Sequence, residues 1–170
     1  ILEVENLIKD GVLEITLLGQ NVNAYGKDLY DDYGMENLLE DVAKTGIQRI
    51  KFVTSHPWDF TEEMFKAMGT YPNIMPFIHL PLQSGSDDVL RRMGRRYTSK
   101  DYCALVDKLR EILPNVSIST DIIVGFPNET KEDFEETLKV VNACKYDSAF
   151  TFIYSPRVGT PAANMEDKIS

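Results

Sequence analysis

The stretch Val116-Ser117-Ile118-Ser119-Thr120-Asp121-Ile122-Ile123-Val124-Gly125-Phe126-Pro127 decides the fold. Its β-branched and apolar residues read as a strand, and Gly125-Phe126-Pro127 ends that strand in a turn-forming cluster. Four other runs end the same way. Val12–Leu18 runs into Gly19-Gln20-Asn21, Ile50–Val53 into Ser55-His56-Pro57, Phe77–Leu82 into Gln83-Ser84-Gly85-Ser86, and Phe150–Ile153 into Tyr154-Ser155-Pro156. In parallel α/β folds ligands bind beyond the carboxyl ends of the strands. Five such ends on one rim predict an enzyme face.

Helical patterns separate the strands. Ile1, Val4, Leu7 and Ile8 repeat at helical spacing and stop at Asp10-Gly11; Met35–Lys44 is helical and stops near Gly46. Thr61-Glu62-Glu63 opens a helix through Met68, with Asp59 or Thr61 as its cap and early acids suiting the dipole. Asp87–Met93 is a short helix, Ser99 caps a longer one to about Leu113, and Thr130-Lys131-Glu132-Asp133 opens another through Cys144 with a capping box. Residues 155–170 read as loop. Alternating strands and helices predict βα units around a parallel sheet with right-handed crossovers. Gly-x-Gly-x-x-Gly does not occur, so part of a barrel fits better than a dinucleotide-binding sheet.

Alternation along the strands adds chemistry. Ser117, Ser119 and Asp121 share one face and Val116, Ile118, Ile122 and Val124 the other; Glu14, Thr16 and Gln20 share a parity, as do His79 and Gln83. An ordinary small barrel fills its lumen with Val, Ile and Leu. A polar lumen predicts either a wide, partly open barrel holding a polar ligand or a satisfied internal hydrogen-bond network, because isolated buried charges are costly.

The chain has 170 residues, 43% of them hydrophobic, which suits a globular domain. It begins at Ile1, inside a helical pattern, and reads as a segment of a longer protein. There is no signal peptide, and no run approaches a membrane span. The net charge of -9 argues against this segment gripping RNA by itself. Residues 91–100 nonetheless carry Arg91, Arg92, Arg95, Arg96 and Lys100 without an acid, a solvated face or an anion site. The two cysteines, Cys103 and Cys144, are far apart in sequence, each in a predicted helix. They read as buried free thiols of a reducing cytoplasm, with neither a disulfide framework nor a metal site expected. His56 and His79 lack acidic or Cys partners at ligand spacing and read as satisfied polar histidines.

Five motifs now stand in order: Gly19-Gln20-Asn21-Val22-Asn23-Ala24-Tyr25-Gly26; Ser55-His56-Pro57; His79-Leu80-Pro81-Leu82-Gln83-Ser84-Gly85-Ser86 with Met93-Gly94-Arg95-Arg96-Tyr97-Thr98; Asp121 through Thr130; and Tyr154-Ser155-Pro156-Arg157-Val158-Gly159-Thr160-Pro161-Ala162. Together they closely resemble the radical S-adenosylmethionine methylthiotransferases, over nearly the whole chain. The tRNA branch, which adds a methylthio group to C2 of isopentenyl-adenosine beside the anticodon, is the most similar. The resemblance implies a partial (β/α) TIM-like barrel of six parallel strands, about five of them present here. It implies a Cys-x-x-x-Cys-x-x-Cys loop on the first strand for a [4Fe–4S] cluster, a second cluster in an N-terminal domain, and a C-terminal RNA-binding β-barrel. None of these lies within residues 1–170, which are expected to be a fragment of the barrel domain and inactive alone. The implied chemistry is reduction of S-adenosylmethionine to a 5′-deoxyadenosyl radical, hydrogen abstraction from the adenosine ring, and transfer of a methylated sulfur. The implied setting is cytoplasmic, with tRNA and a reductant protein as partners and no membrane.

S-Adenosylmethionine has an ammonium, a carboxylate, a ribose and an adenine, and the resemblance assigns candidates to each. Gln20 and Asn21 offer amides for the amino-acid end, or are a loop-stabilising pair. Ser55 bonds polar groups of the ligand, or belongs to a helix-entry turn. Gln83 and Ser84 lie at the ribose hydroxyls, or form a plain turn. Arg95 clamps a carboxylate, or makes a surface ion pair. Asp121 points into the lumen to accept from a hydroxyl or orient Arg95, or makes a structural hydrogen bond. Gly125 and Phe126 give close backbone approach and an apolar wall for adenine, or only a tight turn. Tyr154 closes the rim, with Ser155 and Arg157. No catalytic residue and no metal ligand is assigned within the segment. Two other readings remain: a sister enzyme modifying an aspartate of a ribosomal protein, and a non-catalytic barrel that binds a nucleotide or RNA. Absence of the first strand also predicts an unpaired edge at Val12–Leu18 and self-association.

Overall fold

The computed structural model describes residues 1–53 and 56–165. Helices and strands alternate except where two helices follow β3: α1 (Leu2–Lys9), β1 (Glu14–Leu17), α2 (Met35–Lys44), β2 (Arg49–Phe52), α3 (Glu62–Thr70), β3 (Phe77–His79), α4 (Asp87–Arg92), α5 (Ser99–Ile112), β4 (Ser117–Val124), α6 (Lys131–Cys144) and β5 (Ser148–Ile153). Three single 3-10 turns follow β1, β2 and β5. The residues form two compact units, Ile1–His79 with Lys108–Ser117, and Leu80–Asp107 with the chain from Ile118 on.

In the first unit β1 and β2 pair in parallel, from Glu14 opposite Arg49 to Leu17 opposite Phe52. α2 forms because Met35, Leu39, Val42 and Ala43 recur at helical spacing, and all four are buried. Thr61 caps α3 by accepting from the Met64 amide at 3.2 Å; Asp59, the other expected cap, is used elsewhere. Asn73 fastens the chain before β3 by donating to the carbonyls of Ala43 and Ile47, each at 2.9 Å. Glu14 is no isolated lumen charge: Arg49 and Lys51, both on β2, meet its carboxylate at 2.7 and 2.8 Å. The strand is shorter than the expected Val12–Leu18, and the flanking Leu13 and Leu18 are 51% and 74% exposed. Among the described residues β1 has a single strand neighbour, so its other edge stays open.

In the second unit β4 and β5 pair in parallel from Ser119 opposite Ser148 to Val124 opposite Ile153. The chain leaving β3 runs along the other edge of β4: Leu80 N donates to Ser119 O, Gln83 N to Asp121 O, and Ile123 N to Gln83 O, each at 2.8 Å. Leu80, Leu82, Val89, Leu90, Ile118 and Tyr102 are all 1% exposed or less and form its core. The polar face expected on β4 is buried at Ser119, and Thr120, on the opposite face, is buried as well. Thr120 is tolerated there because its hydroxyl accepts from the Leu82 amide at 2.9 Å. The cap of α5 is Thr98 rather than Ser99: the Asp101 amide donates to the Thr98 hydroxyl at 3.1 Å, and Asp101 returns an acceptor to the Thr98 amide.

Candidate functional site

The strand ends in the second unit are in register. Gln83 lies opposite Ile122, and Val124 opposite Ile153, so three successive parallel segments end on one side. Each then turns sharply by a different device.

At the first corner the Ser84 amide donates back to the Leu82 carbonyl at 3.0 Å, closing a γ-turn whose centre, Gln83, has φ +69°. A positive-φ γ-turn is uncommon and strained for a residue with a side chain. Gln83 is also 8% exposed, so the corner is packed on both sides. This turn breaks the alternation that put His79 and Gln83 on one face. Tyr97 braces it by donating its hydroxyl to the Leu82 carbonyl at 2.9 Å. Burial pushes the Tyr97 phenol up to about 12, and the Arg95 guanidinium partly opposes that, which puts Arg95 beside the same corner.

The next three residues face the protein. Ser84 is fully buried, with its hydroxyl 3.2 Å from that of Thr137 on α6, and the Gly85 amide donates to the same Thr137 oxygen at 2.9 Å. Ser86 caps α4 and donates to Asp133 at 2.5 Å. Of the two readings of Ser84, at the ribose hydroxyls or in a plain turn, the side-chain contact with Thr137, which holds the turn against α6, favours the turn.

At the second corner Glu129 N donates to Phe126 O at 2.8 Å, with Pro127 and Asn128 between and Asn128 at φ +62°. That is a type II turn, in which Pro presets the first central residue and Asn accepts the left-handed second. The Glu129 carboxylate folds back to accept from the amides of Gly125 and Phe126. Burial pushes the Glu129 carboxyl up, against those two bonds and Arg92. Arg92, on α4, reaches the Pro127 carbonyl and Asp133, and so ties α4 to this turn. At the third corner the Tyr154 amide donates to Val124 O at 2.8 Å, and the Tyr154 ring meets Phe126 edge-on at 5.1 Å.

In the first unit Asn21 donates its amide to Asp59 at 2.5 Å, and Lys27 meets the other oxygen of Asp59. Burial raises the Asp59 carboxyl, yet Lys27 and Asn21 outweigh it and hold it low. Asn23, 2% exposed, exchanges two hydrogen bonds with the backbone of His56 at 3.0 and 3.1 Å. Gln20 is exposed. Ser55 lies outside the described residues.

Three buried polar atoms on candidate residues have no partner: Nε of Arg95, the hydroxyl of Tyr154 and Oδ1 of Asn21. Oε1 of Glu129 and the Tyr146 hydroxyl are in the same condition, whereas buried polar groups are normally satisfied. Sequence reasoning named the first three residues and missed Glu129 and Thr137, which shape the corners, and Asn23, which holds His56. Glu129 had a legible signal, an acid two residues past Gly125-Phe126-Pro127. Among the described residues no group of three or more His, Cys, Asp and Glu is placed to hold a metal ion.

An α/β chain with three parallel strand ends on one side, each followed by a sharp turn, is the framework on which ligand-binding domains are built. Residues 1–141 match the Radical SAM superfamily, and the chain belongs to it. It is 54% identical, over 98% of its length and 33% of the relative's, to the tRNA-2-methylthio-N(6)-dimethylallyladenosine synthase of Staphylococcus haemolyticus. The proteins of the same name from Bacillus cytotoxicus and Malacoplasma penetrans are 55% and 54% identical over 98% of the chain. The chain spans about a third of the length of these curated relatives. Among solved structures it is similar to the radical S-adenosylmethionine methyltransferase TsrM of Kitasatospora setae, at TM-score 0.73 and 18% identity over 95% of this chain and 31% of that one. Coproporphyrinogen III oxidase of Escherichia coli gives TM-score 0.65 and 19% identity over 98% of this chain and 39% of that one. The fold these neighbours share agrees with the expected partial (β/α) TIM-like barrel of the radical SAM type.

Proposed function

We propose that this chain is the central part of a tRNA methylthiotransferase, which uses S-adenosylmethionine and [4Fe–4S] clusters to add a methylthio group to C2 of isopentenyl-adenosine beside the anticodon. The carrying observation is 54% identity across 98% of the chain to a protein named for that synthesis. The parent protein would act in the cytoplasm, with tRNA as substrate and a reductant protein as partner. The net charge of -9 supports an RNA grip lying in other parts of that protein.

The bare polar atoms fit S-adenosylmethionine chemically. In the second unit the Nε–H of Arg95 is a buried donor and suits the carboxylate or a ribose oxygen, and the Tyr154 hydroxyl can donate or accept. Gln83 and Asp121 meet at the same corner through the Gln83 amide and the Asp121 carbonyl. Gly125 and Phe126 offer a wall for the adenine, stiffened by Glu129 beneath and Tyr154 at its edge. A three-cysteine cluster does not fit this chain, which has two cysteines. Its ligands would come from other segments. When bound, the cofactor with its cluster supplies the one-electron chemistry of hydrogen abstraction. The residues of this chain orient it and keep water away.

Two measurements test the reading. Nucleosides from a strain lacking the gene should have lost 2-methylthio-isopentenyl-adenosine; an intact level would overturn the tRNA assignment, and loss of a modified ribosomal-protein aspartate instead would favour the sister enzyme. In the full-length protein, Arg95→Ala should weaken S-adenosylmethionine binding by about 1–3 kcal/mol, the worth of a charged hydrogen bond. Unchanged binding by calorimetry would remove Arg95 from the site.

A further inference from the structure

Cys103 and Cys144 are separated by most of α5, β4 and α6 in sequence, yet their sulfurs lie 3.8 Å apart. Neither cysteine is in a disulfide; Cys103 is half-buried and Cys144 is 2% exposed. A disulfide bond is about 2.05 Å long, so closure needs an approach of about 1.8 Å. The structure supplies a fixed side and a yielding side for that movement. Tyr102, next to Cys103, is 1% exposed and donates its hydroxyl to the Leu80 carbonyl at 2.6 Å, which anchors α5. Cys144 is the last residue of α6, followed by Lys145 in the left-handed conformation at φ +46°. The last turn of a helix adjusts at lower cost than its interior. The rings of Tyr102 and Tyr146 meet edge-on at 6.5 Å and keep the two cysteine-bearing segments together.

We propose that Cys103 and Cys144 form a reversible dithiol–disulfide site, oxidised by low-molecular-weight disulfides such as oxidised glutathione. Cys103, the accessible thiol, attacks one sulfur of the oxidant as its thiolate, its proton going to water. The S–S bond of glutathione disulfide breaks, one glutathione thiolate leaves, and a mixed disulfide forms on Cys103. The Cys144 thiolate then attacks the Cys103 sulfur, the mixed disulfide breaks, and the second glutathione leaves. Two protein thiols are oxidised, and one glutathione disulfide is reduced to two thiols. The product joins α5 to the end of α6.

The test is anaerobic equilibration of the full-length protein in glutathione buffers of rising oxidised fraction, followed by acid quenching, alkylation and non-reducing peptide mass mapping. A Cys103–Cys144 linked peptide should accumulate and should disappear on return to reduced glutathione. C144S should stop at glutathione on Cys103, and C103S should leave Cys144 unmodified, because its thiol is covered. Two free thiols in the most oxidised buffer, or glutathione on Cys103 of the wild type without the linked peptide, would overturn the proposal. The wild-type map decides by itself if either variant fails to fold. The readout concerns named peptides, so it is independent of the tRNA reading and of any cluster cysteines elsewhere.

Discussion

At the scale of single residues the second unit relies on carboxylates with opposite titration behaviour. Glu129 is pushed up by burial, so its folded form holds a proton that the unfolded chain has already released. Its share of stability therefore falls as pH rises above the ordinary value of 4.5, and levels off past the folded value. Asp133 behaves the other way. Burial pushes it up, but the Ser86 hydroxyl, the Thr130 backbone and side chain, and Arg92 together hold it below 3.8. Its contribution is complete above that value and is lost as pH falls through the folded one. Asp133→Asn should consequently flatten the acid limb of a stability–pH curve measured by chemical denaturation; an unchanged limb would mean that other carboxylates carry it. Glu129→Ala should cost about 1–3 kcal/mol by stranding the amides of Gly125 and Phe126, while Glu129→Gln, which keeps an acceptor, should cost less. Equal losses in the two variants would show that the back-folded bonds do not matter.

At the scale of elements the decisive packing is that of α6 on the turn after β3. A Cβ built on Gly85 would lie 2.5 Å from the Thr137 Cα and 2.8 Å from the Glu136 carbonyl. Helix backbone does not yield as a flexible side chain does, so Gly85→Ala should destabilise by about 2–4 kcal/mol and disturb the Gln83 corner with it. Denaturant midpoints check this, and a loss under 0.5 kcal/mol, roughly the surface background, would refute the close fit. The sequence allowed the helices and strands to be read because their signals are local: apolar period, capping residues and β-branched runs. α2 was expected over Met35–Lys44 and occupies those residues, and Thr130 caps α6 as its capping box requires. The corner at Gln83 was hidden because a side-chain-bearing residue at positive φ is imposed by the neighbours of Leu82 and Ser84, not by local propensity. For the same reason the sequence left Ser84 between a ligand contact and a plain turn: it cannot tell a hydroxyl facing a pocket from one facing Thr137. Arg95, Asn21 and Tyr154 could be named because they stand in motifs that resemble those of a known family. That their atoms are left bare required coordinates. The approach of Cys103 to Cys144 is a tertiary event with no sequence trace.

At the scale of the whole molecule, what stands out is apolar surface that a domain of this size does not normally leave bare. Every residue of β5 is exposed, including Phe150 at 57%, Phe152 at 51% and Ile153 at 82%, and Phe134 and Leu138 on α6 are 39% and 44% exposed. β5 also ends its sheet, so its outer backbone groups have no strand partner among the described residues. An exposed apolar strand at a sheet edge is a template for pairing with another chain. The edge expected from the sequence to be the sticky one was β1, yet β1 is short, and its Glu14 carries two ion pairs with β2. Charge on an edge strand discourages association, which makes β5 the stronger driver. The 170-residue chain expressed alone should therefore self-associate with rising concentration in light scattering. Phe152→Lys should restore the monomer more effectively than Leu18→Lys, because only the first puts a charge into the apolar edge strand itself. Monomeric scattering of the unaltered chain at high concentration would sink the argument. Rescue by Leu18→Lys alone would return the edge to β1.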